Sequence, residues 1–147
     1  MVASRRRKGI EAERELANKL WDMGWAVIRG PASGAGARKR YQPDIVAALN
    51  GYIAVIEVKR GEAGKPLYLD PGQVINLAEW ARRAGGEPYI AVRLRGGEWR
   101  LHPVSSLKTT GRGRFKIERP ETGLKLRDLV EIVRGRHRRL DDYMEKW

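Results

Sequence analysis

Pro43-Asp44-Ile45-Val46-Ala47-Ala48-Leu49-Asn50-Gly51-Tyr52-Ile53-Ala54-Val55-Ile56-Glu57-Val58-Lys59 is the stretch whose pairing decides the fold. Asn50-Gly51 falls between two apolar runs, and a two-residue type I′ turn needs positive φ at both central positions, which Asn-Gly tolerates best. The turn sets a register in which Leu49 faces Tyr52, Val46 faces Val55, and Asp44 faces Glu57 at the end far from the loop. Directly opposed residues share a sheet face with Cβ atoms about 4.5–5.5 Å apart, close enough for two like charges to repel. Lys59 follows Glu57 by two residues, so strand alternation puts its ammonium on that same face, about 7 Å along. Val58 points the other way. Two carboxylates held this closely suit a hard cation such as Mg²⁺, which takes one or two carboxylates and fills its shell with water and phosphate. Glu-Val-Lys by itself is commonly a solvated pair on a strand. Here both strands are apolar on both faces apart from these end residues, the pattern of a buried sheet, so the charges converge for a reason.

Composition narrows the partner. Thirty Lys and Arg against eighteen Asp and Glu leave a formal charge of +12 over 147 residues, which points to a polyanion. The length suits one domain spanning 1–147, with a basic N-terminal arm (1–8) and a basic C-terminal tail (134–147). No apolar run approaches the roughly 20 residues that cross a bilayer, and no apolar segment follows the basic start. The expectation is a cytoplasmic, intracellular protein associated with the nucleoid, with no membrane contact. Cysteine is absent, which removes thiolate metal sites, and the two histidines, His102 and His137, are far apart in sequence, which argues against an imidazole site, so any metal is expected to be carboxylate-bound.

Along the chain, the arm Ser4-Arg5-Arg6-Arg7-Lys8 reads as a phosphate-binding extension, with a helix beginning near Gly9. Ala12, Leu16, Ala17, Leu20 and Met23 share one arc at helical spacing. Glu11 and Glu15 are expected to face outward, whereas Glu13 falls inside the stripe. A buried glutamate is costly unless paired, and Lys59 or a metal-bound water is its expected partner. Trp25–Arg29 reads as an early, central strand. A glycine-rich then basic loop follows, and its Arg38-Lys39-Arg40 cluster at the door of Asp44 suits phosphate. It matches neither a Walker A loop nor G-x-G-x-x-G.

Gly61–Leu69 reads as a linker, and Asp70-Pro71 as the cap and first residue of a second helix on Val74, Leu77, Ala78 and Ala81, ended by Gly85-Gly86. Tyr89–Leu94 and Trp99–His102 extend the same sheet. Thr109–Arg114 is basic loop, Phe115–Ile117 a short strand, and Leu126–Val133 a final helix. The fold class expected is α/β: a central mixed sheet flanked by helices.

Pro-Asp, a spacer and Glu-x-Lys resemble the active-site motif of the restriction-endonuclease-like nuclease superfamily. Within it the chain is similar to the archaeal Holliday junction resolvases over about residues 7–105. The likeness rests on Arg7-Lys8-Gly9 with Ala12-Glu13-Arg14-Glu15-Leu16, and on Gly24–Arg29 with Ser33 four residues on. It continues through Asp44-Ile45-Val46-Ala47, Ile56-Glu57-Val58-Lys59 and Ala81–Gly86. The resemblance implies that Asp44 and Glu57 bind metal together with the Val58 carbonyl, and that Glu13, also counted as a metal ligand, and Lys59 complete the catalytic set. It ties Arg14, Arg29 and Ser33 to activity or to the substrate backbone. It further implies Mg²⁺, with Mn²⁺ able to substitute, a homodimer, four-way junction DNA as substrate, and cuts leaving 5′-phosphate and 3′-hydroxyl ends. Two other readings stay open: a related nicking, flap or duplex endonuclease, and a non-catalytic basic DNA-binding protein. In the latter, Asp44, Glu57 and Glu13 would have no role.

Overall fold

A computed structural model describes residues 2–31 and 40–144, with side chains defined over 5–31 and 40–135. Asn50 and Gly51 take positive φ, 49° and 83°, and the turn joins β2 (Ile45–Leu49) to β3 (Tyr52–Gly61) in antiparallel register, with Leu49 opposite Tyr52 and Val46 opposite Val55. β1 (Ala26–Arg29) pairs antiparallel with the outer side of β2, Arg29 lying opposite Ile45. β5 (Glu87–Leu94) runs parallel to β3, and β6 (Trp99–Pro103) antiparallel to β5. Among the described residues this makes a mixed five-stranded sheet of order β1-β2-β3-β5-β6. The strand expected to be central, β1, is therefore an edge. The hairpin occupies one side of β3 and the parallel crossover the other, which leaves only the outer side of β2 for it.

Strand alternation divides β3 between two apolar layers. On one face, Leu16 and Leu20 of α1 (Val2–Asp22) and Leu129 and Val133 of α3 (Leu126–Met144) pack over Ala54, Ile56, Ala91 and Leu101. On the other, Val74, Leu77 and Ala81 of α2 (Pro71–Ala84) pack over Val55, Ile90 and Val92. Each fully buried leucine contributes about 1.5–3 kcal/mol relative to an exposed one. Both ends of α2 follow the sequence. Asp70 accepts the Gln73 N–H, Pro71 opens the first turn, and Gly85 stops the helix at a left-handed φ of 70°. Because α2 returns the chain from β3 to the parallel β5, its first turn lies over the C-terminal end of β3.

Three boundaries differ from the sequence reading. The basic arm is the first part of α1, since Arg and Lys are good helix formers and no breaker separates them from Gly9. The basic tail likewise continues α3 to Met144, Gly135 costing only about 1 kcal/mol in a helix. The expected linker contains β4 (Leu67–Leu69). It pairs with β8 (Phe115–Ile117), which pairs in turn with β7 (Lys108–Thr109), in a small antiparallel sheet of order β4-β8-β7. Leu69 and Ile117 tie that sheet to the α2 layer.

Candidate active site

Asp44 stands one residue before β2, and the continued register sets it opposite Glu57. Its Oδ2 accepts the Val58 N–H at 2.8 Å. Pro43 explains why. In a two-residue hairpin the pairs 49–52, 47–54 and 45–56 exchange hydrogen bonds, so the next would join residue 43 to Val58. A proline has no N–H to give. The Val58 carbonyl, on the same side of the strand, is therefore left without its ladder donor, while the Val58 N–H is taken by the Asp44 carboxylate. Gly30 holds the other side: its N–H donates to the Asp44 carbonyl at 2.8 Å. A Cβ at residue 30 would lie 2.3 Å from the Pro43 oxygen, so only glycine passes there undisturbed.

Glu57 is 5 % exposed, and its Oε2 has no hydrogen-bond partner among the described residues. Burial pushes its carboxyl up to about 9, with the hydrogen bond to Asp44 and the charge of Asp44 adding to the rise. The repulsion read from the sequence thus takes the form of a raised Glu57 carboxyl that holds its proton to higher pH. Glu13, half-buried on α1, is raised to about 7, first by burial and then by the Asp44 charge, against the opposing pull of Arg29.

The expected Glu13–Lys59 pairing is not formed. Lys59 shares the Glu57 face, as alternation requires, but its Nζ donates to Gln73 Oε1 on α2 at 2.8 Å. Glu15 is not an outward glutamate either. It accepts from Arg93 Nε at 2.7 Å and from Trp99 Nε1 at 2.8 Å, clamping α1 onto β5 and β6.

The donor chemistry suits a hard cation. Among the described residues no group of three or more acidic or imidazole side chains is drawn together closely enough to hold a metal ion. The set offered is two carboxylates, one with a buried unpartnered oxygen, beside the Val58 carbonyl, whose ladder position falls opposite Pro43, a residue with no N–H. Mg²⁺ ordinarily needs no more, because it keeps several waters.

The expected DNA-contacting residues divide. Arg29 ends β1 half-buried, with its Nε lacking a partner among the described residues. Arg7, Lys8 and Arg14 are exposed along α1. Arg60, one residue past Lys59, donates to the Lys8 carbonyl from Nε at 3.3 Å and Nη2 at 2.9 Å, which fixes the basic turns of α1 against the end of β3. Arg40 is exposed and borders a cleft of about 330 Å³ with Tyr41, Trp80 and Arg83. Ser33, Arg38 and Lys39 lie outside the described residues.

Gln73, Tyr41 and Arg60 were not singled out from the sequence. Gln73 sits four residues before Leu77, on the buried stripe of α2, and that spacing was available as a signal. Tyr41 has a buried hydroxyl without a partner among the described residues. Burial and the charges of Glu57 and Asp44 push its phenol upward.

The family described as archaeal Holliday junction resolvase (Hjc) matches residues 4–138. The crossover junction endodeoxyribonuclease Hjc of Sulfurisphaera tokodaii is 38% identical over 144 residues, 96% of this chain and 99% of that protein. Its counterpart in Archaeoglobus fulgidus is 40% identical over 111 residues, 76% of this chain and 79% of that protein. The 1.6 Å structure of A. fulgidus Hjc, described as a Holliday junction resolvase from an archaeal hyperthermophile, matches with a TM-score of 0.73. Identity there is 37%, over 82% of this chain and 98% of that one. With its mixed sheet, its flanking helices and a sequence match across nearly its whole length, the chain belongs to the archaeal Holliday junction resolvase family.

Proposed function

We propose that this protein is an endonuclease that resolves four-way DNA junctions by paired, metal-dependent phosphodiester hydrolysis, leaving 5′-phosphate and 3′-hydroxyl ends. The observation that carries this reading is the row formed by Asp44, Glu57 and Lys59 at one end of a buried hairpin, in a chain of this family. Asp44, Glu57 and the Val58 carbonyl would hold Mg²⁺, or Mn²⁺ in its place, with Glu13 beside Asp44 completing the acidic set. When bound, such a cation supplies charge neutralisation at the scissile phosphate and at the leaving 3′ oxygen. Asp44 is oriented for this by the Val58 N–H, and Glu57 by its burial. Lys59, held by Gln73, positions the attacking water on the same face. Arg7, Lys8, Arg14, Arg29 and Arg40 follow the DNA backbone around the site.

A four-way junction has approximate two-fold symmetry and needs two symmetric nicks, which a C₂ homodimer supplies. The α2 layer covers β3 and β5, while the same face of β1 and β2 is apolar and open, with Ile28 72 % exposed. We assign the dimer contact to that face. The test sets a fixed four-way junction, a matched duplex and a flap side by side, in Mg²⁺ and in EDTA, with the parent and Glu57→Gln. Nicking confined to the junction, needing Mg²⁺ and lost in the variant, is the expected result. Equal nicking of duplex, or nicking retained in EDTA or by Glu57→Gln, would overturn the substrate or the site respectively.

A further inference from the structure

Lys108-Thr109-Thr110-Gly111-Arg112-Gly113-Arg114-Phe115-Lys116-Ile117-Glu118-Arg119 carries five cations against one carboxylate and has no part in the site above. It forms the β7–β8 hairpin. The tip is built rather than loose. Thr110 N–H donates to the Arg114 carbonyl at 2.8 Å and Gly113 N–H to the Thr110 carbonyl at 3.0 Å, with Gly113 at a left-handed φ of 75°. The Thr110 hydroxyl oxygen accepts the N–H groups of Arg112 and Arg114. Behind the tip, β8 is paired on its other side with β4, and Phe115 and Ile117 are anchored in the α2 layer.

The charges at this tip are unanswered. Lys116 pairs with Glu118 at 3.0 Å, but Arg112 and Arg114 are exposed and, among the described residues, their side chains make no hydrogen bond or ion pair. Arg82 and Arg83, exposed on α2, show the contrast: both are bonded to Glu79. Placement adds a second argument. Phe115 is level with Leu69, whose next residue, Asp70, caps α2, so the tip emerges at the same end as the turn that carries Gln73 to Lys59. The inner side of the hairpin borders a cleft of about 470 Å³ lined in part by Lys108, Arg119 and the Lys116–Glu118 pair, a net cationic lining. A concave cationic surface focuses its field on an anion more than a flat one does.

We propose that the β7–β8 hairpin is a second DNA-backbone contact, in which Arg112 and Arg114 bind phosphates of a duplex arm outside the site of cleavage. This rests on the reading of the protein as a junction-binding enzyme and adds the surface that grips an arm. The hairpin is already ordered by its core contacts, so docking needs little further ordering of the backbone. Each phosphate neutralised on duplex DNA contributes about 0.9 to the slope of log affinity against log salt, so losing both arginines should make that slope shallower by about 1.8.

The experiment measures junction and duplex binding by fluorescence anisotropy in EDTA across a salt series, using the full-length chain. Arg112→Gln/Arg114→Gln is compared with Arg82→Gln/Arg83→Gln, which removes the same net charge from arginines that already have partners. The hairpin variant should lose about 1.8 of slope and the α2 variant clearly less than half of that. Arg112→Lys/Arg114→Lys should restore the slope. Equal losses in the two glutamine variants would show that only net charge matters and overturn the proposal. If the parent showed no preference for junctions, the resolvase reading would fail, while the slope comparison on duplex would still decide the hairpin.

Discussion

Lys59 is held by Gln73: its Nζ donates to the Gln73 Oε1 at 2.8 Å, across the gap between β3 and the first turn of α2. A flexible lysine is thereby fixed on the face it shares with Glu57. A hydrogen bond to a charged group is worth about 1.5–3 kcal/mol, and about 1.4 kcal/mol is tenfold in rate. Gln73→Ala should therefore slow single-turnover nicking about tenfold or more while leaving junction affinity unchanged. Gln73→Met keeps the volume but not the acceptor and should lose as much. Full activity in Gln73→Met would assign Gln73 to packing alone.

The two central carboxylates differ in what they do for the metal-free fold. Asp44 satisfies the Val58 N–H, whereas Glu57 leaves an oxygen buried and unpartnered. Asp44→Ala strands a backbone donor, at a cost of about 1–3 kcal/mol, which for a chain this size lowers the melting temperature by about 2–4 °C per kcal/mol. Asp44→Asn keeps an oxygen acceptor and should melt with the parent in EDTA, whereas Glu57→Gln, which stands in for the protonated carboxyl, should melt with the parent near pH 4.5 and above it at neutral pH. All three variants should lose nicking and keep junction binding, since phosphate affinity comes from Lys and Arg. Melting curves in EDTA decide it: equal melting of Asp44→Ala and Asp44→Asn would remove the structural role given to Asp44.

What was legible in the chain is what is decided locally. Asn50-Gly51 and a period of two place Leu49, Val46 and the Asp44–Glu57–Lys59 row, and Asp70-Pro71 and Gly85 mark both ends of α2 without help from the rest of the fold. The edge position of β1 was not legible, because it depends on which strand claims the far side of β3. The partner of Lys59 was hidden for a related reason. Gln73 reaches it only through the crossover that lays α2 back over β3, and a single polar residue on an otherwise apolar stripe carries no local sign of its partner. The contact of Val58 with Asp44 needed ladder parity as well as facing: its side chain turns away from the site, but its N–H donates to the Asp44 carboxylate.

Gly30 makes the placement of Asp44 open to a direct test. A methyl at this position would meet the Pro43 carbonyl at 2.3 Å, and a backbone neighbour cannot swing aside as a side chain can. Gly30→Ala should displace the Pro43–Asp44 segment, lower stability by about 1–3 kcal/mol, and reduce nicking more than it reduces junction binding. Gly64→Ala is the control, because a Cβ there meets nothing within 4 Å although its φ of 79° also strains an alanine. Stability and nicking measured on both variants separate the two effects. Gly64→Ala should lose stability with nicking intact, and an unaffected nicking rate in Gly30→Ala would mean that the backbone at Asp44 tolerates the shift.

The pH dependence of the metal-free protein follows from the two raised carboxyls. Glu57 is lifted from 4.5 to about 9 and Glu13 from 4.5 to about 7, burial being the largest cause in each. Between its unfolded and folded values, a group raised in this way binds more protons folded than unfolded, so stability falls as pH rises. In EDTA the melting temperature should decline from near 4.5 upward, the Glu13 share being lost by about 7 and the Glu57 share by about 9. Glu57→Gln lacks the larger share. Its melting temperature should level off above about 7 and exceed that of the parent at about 9. Mg²⁺ should act in the opposite direction, because carboxylate ligands bind metal only when deprotonated and ligand binding stabilises only the fold that holds the site. The Mg²⁺-induced rise in melting temperature should therefore grow with pH in the parent and be absent from Glu57→Gln at every pH. A parent curve in EDTA that stayed flat through this range would refute the buried, proton-retaining Glu57. A Mg²⁺-induced rise of equal size in the variant would remove Glu57 from the metal site.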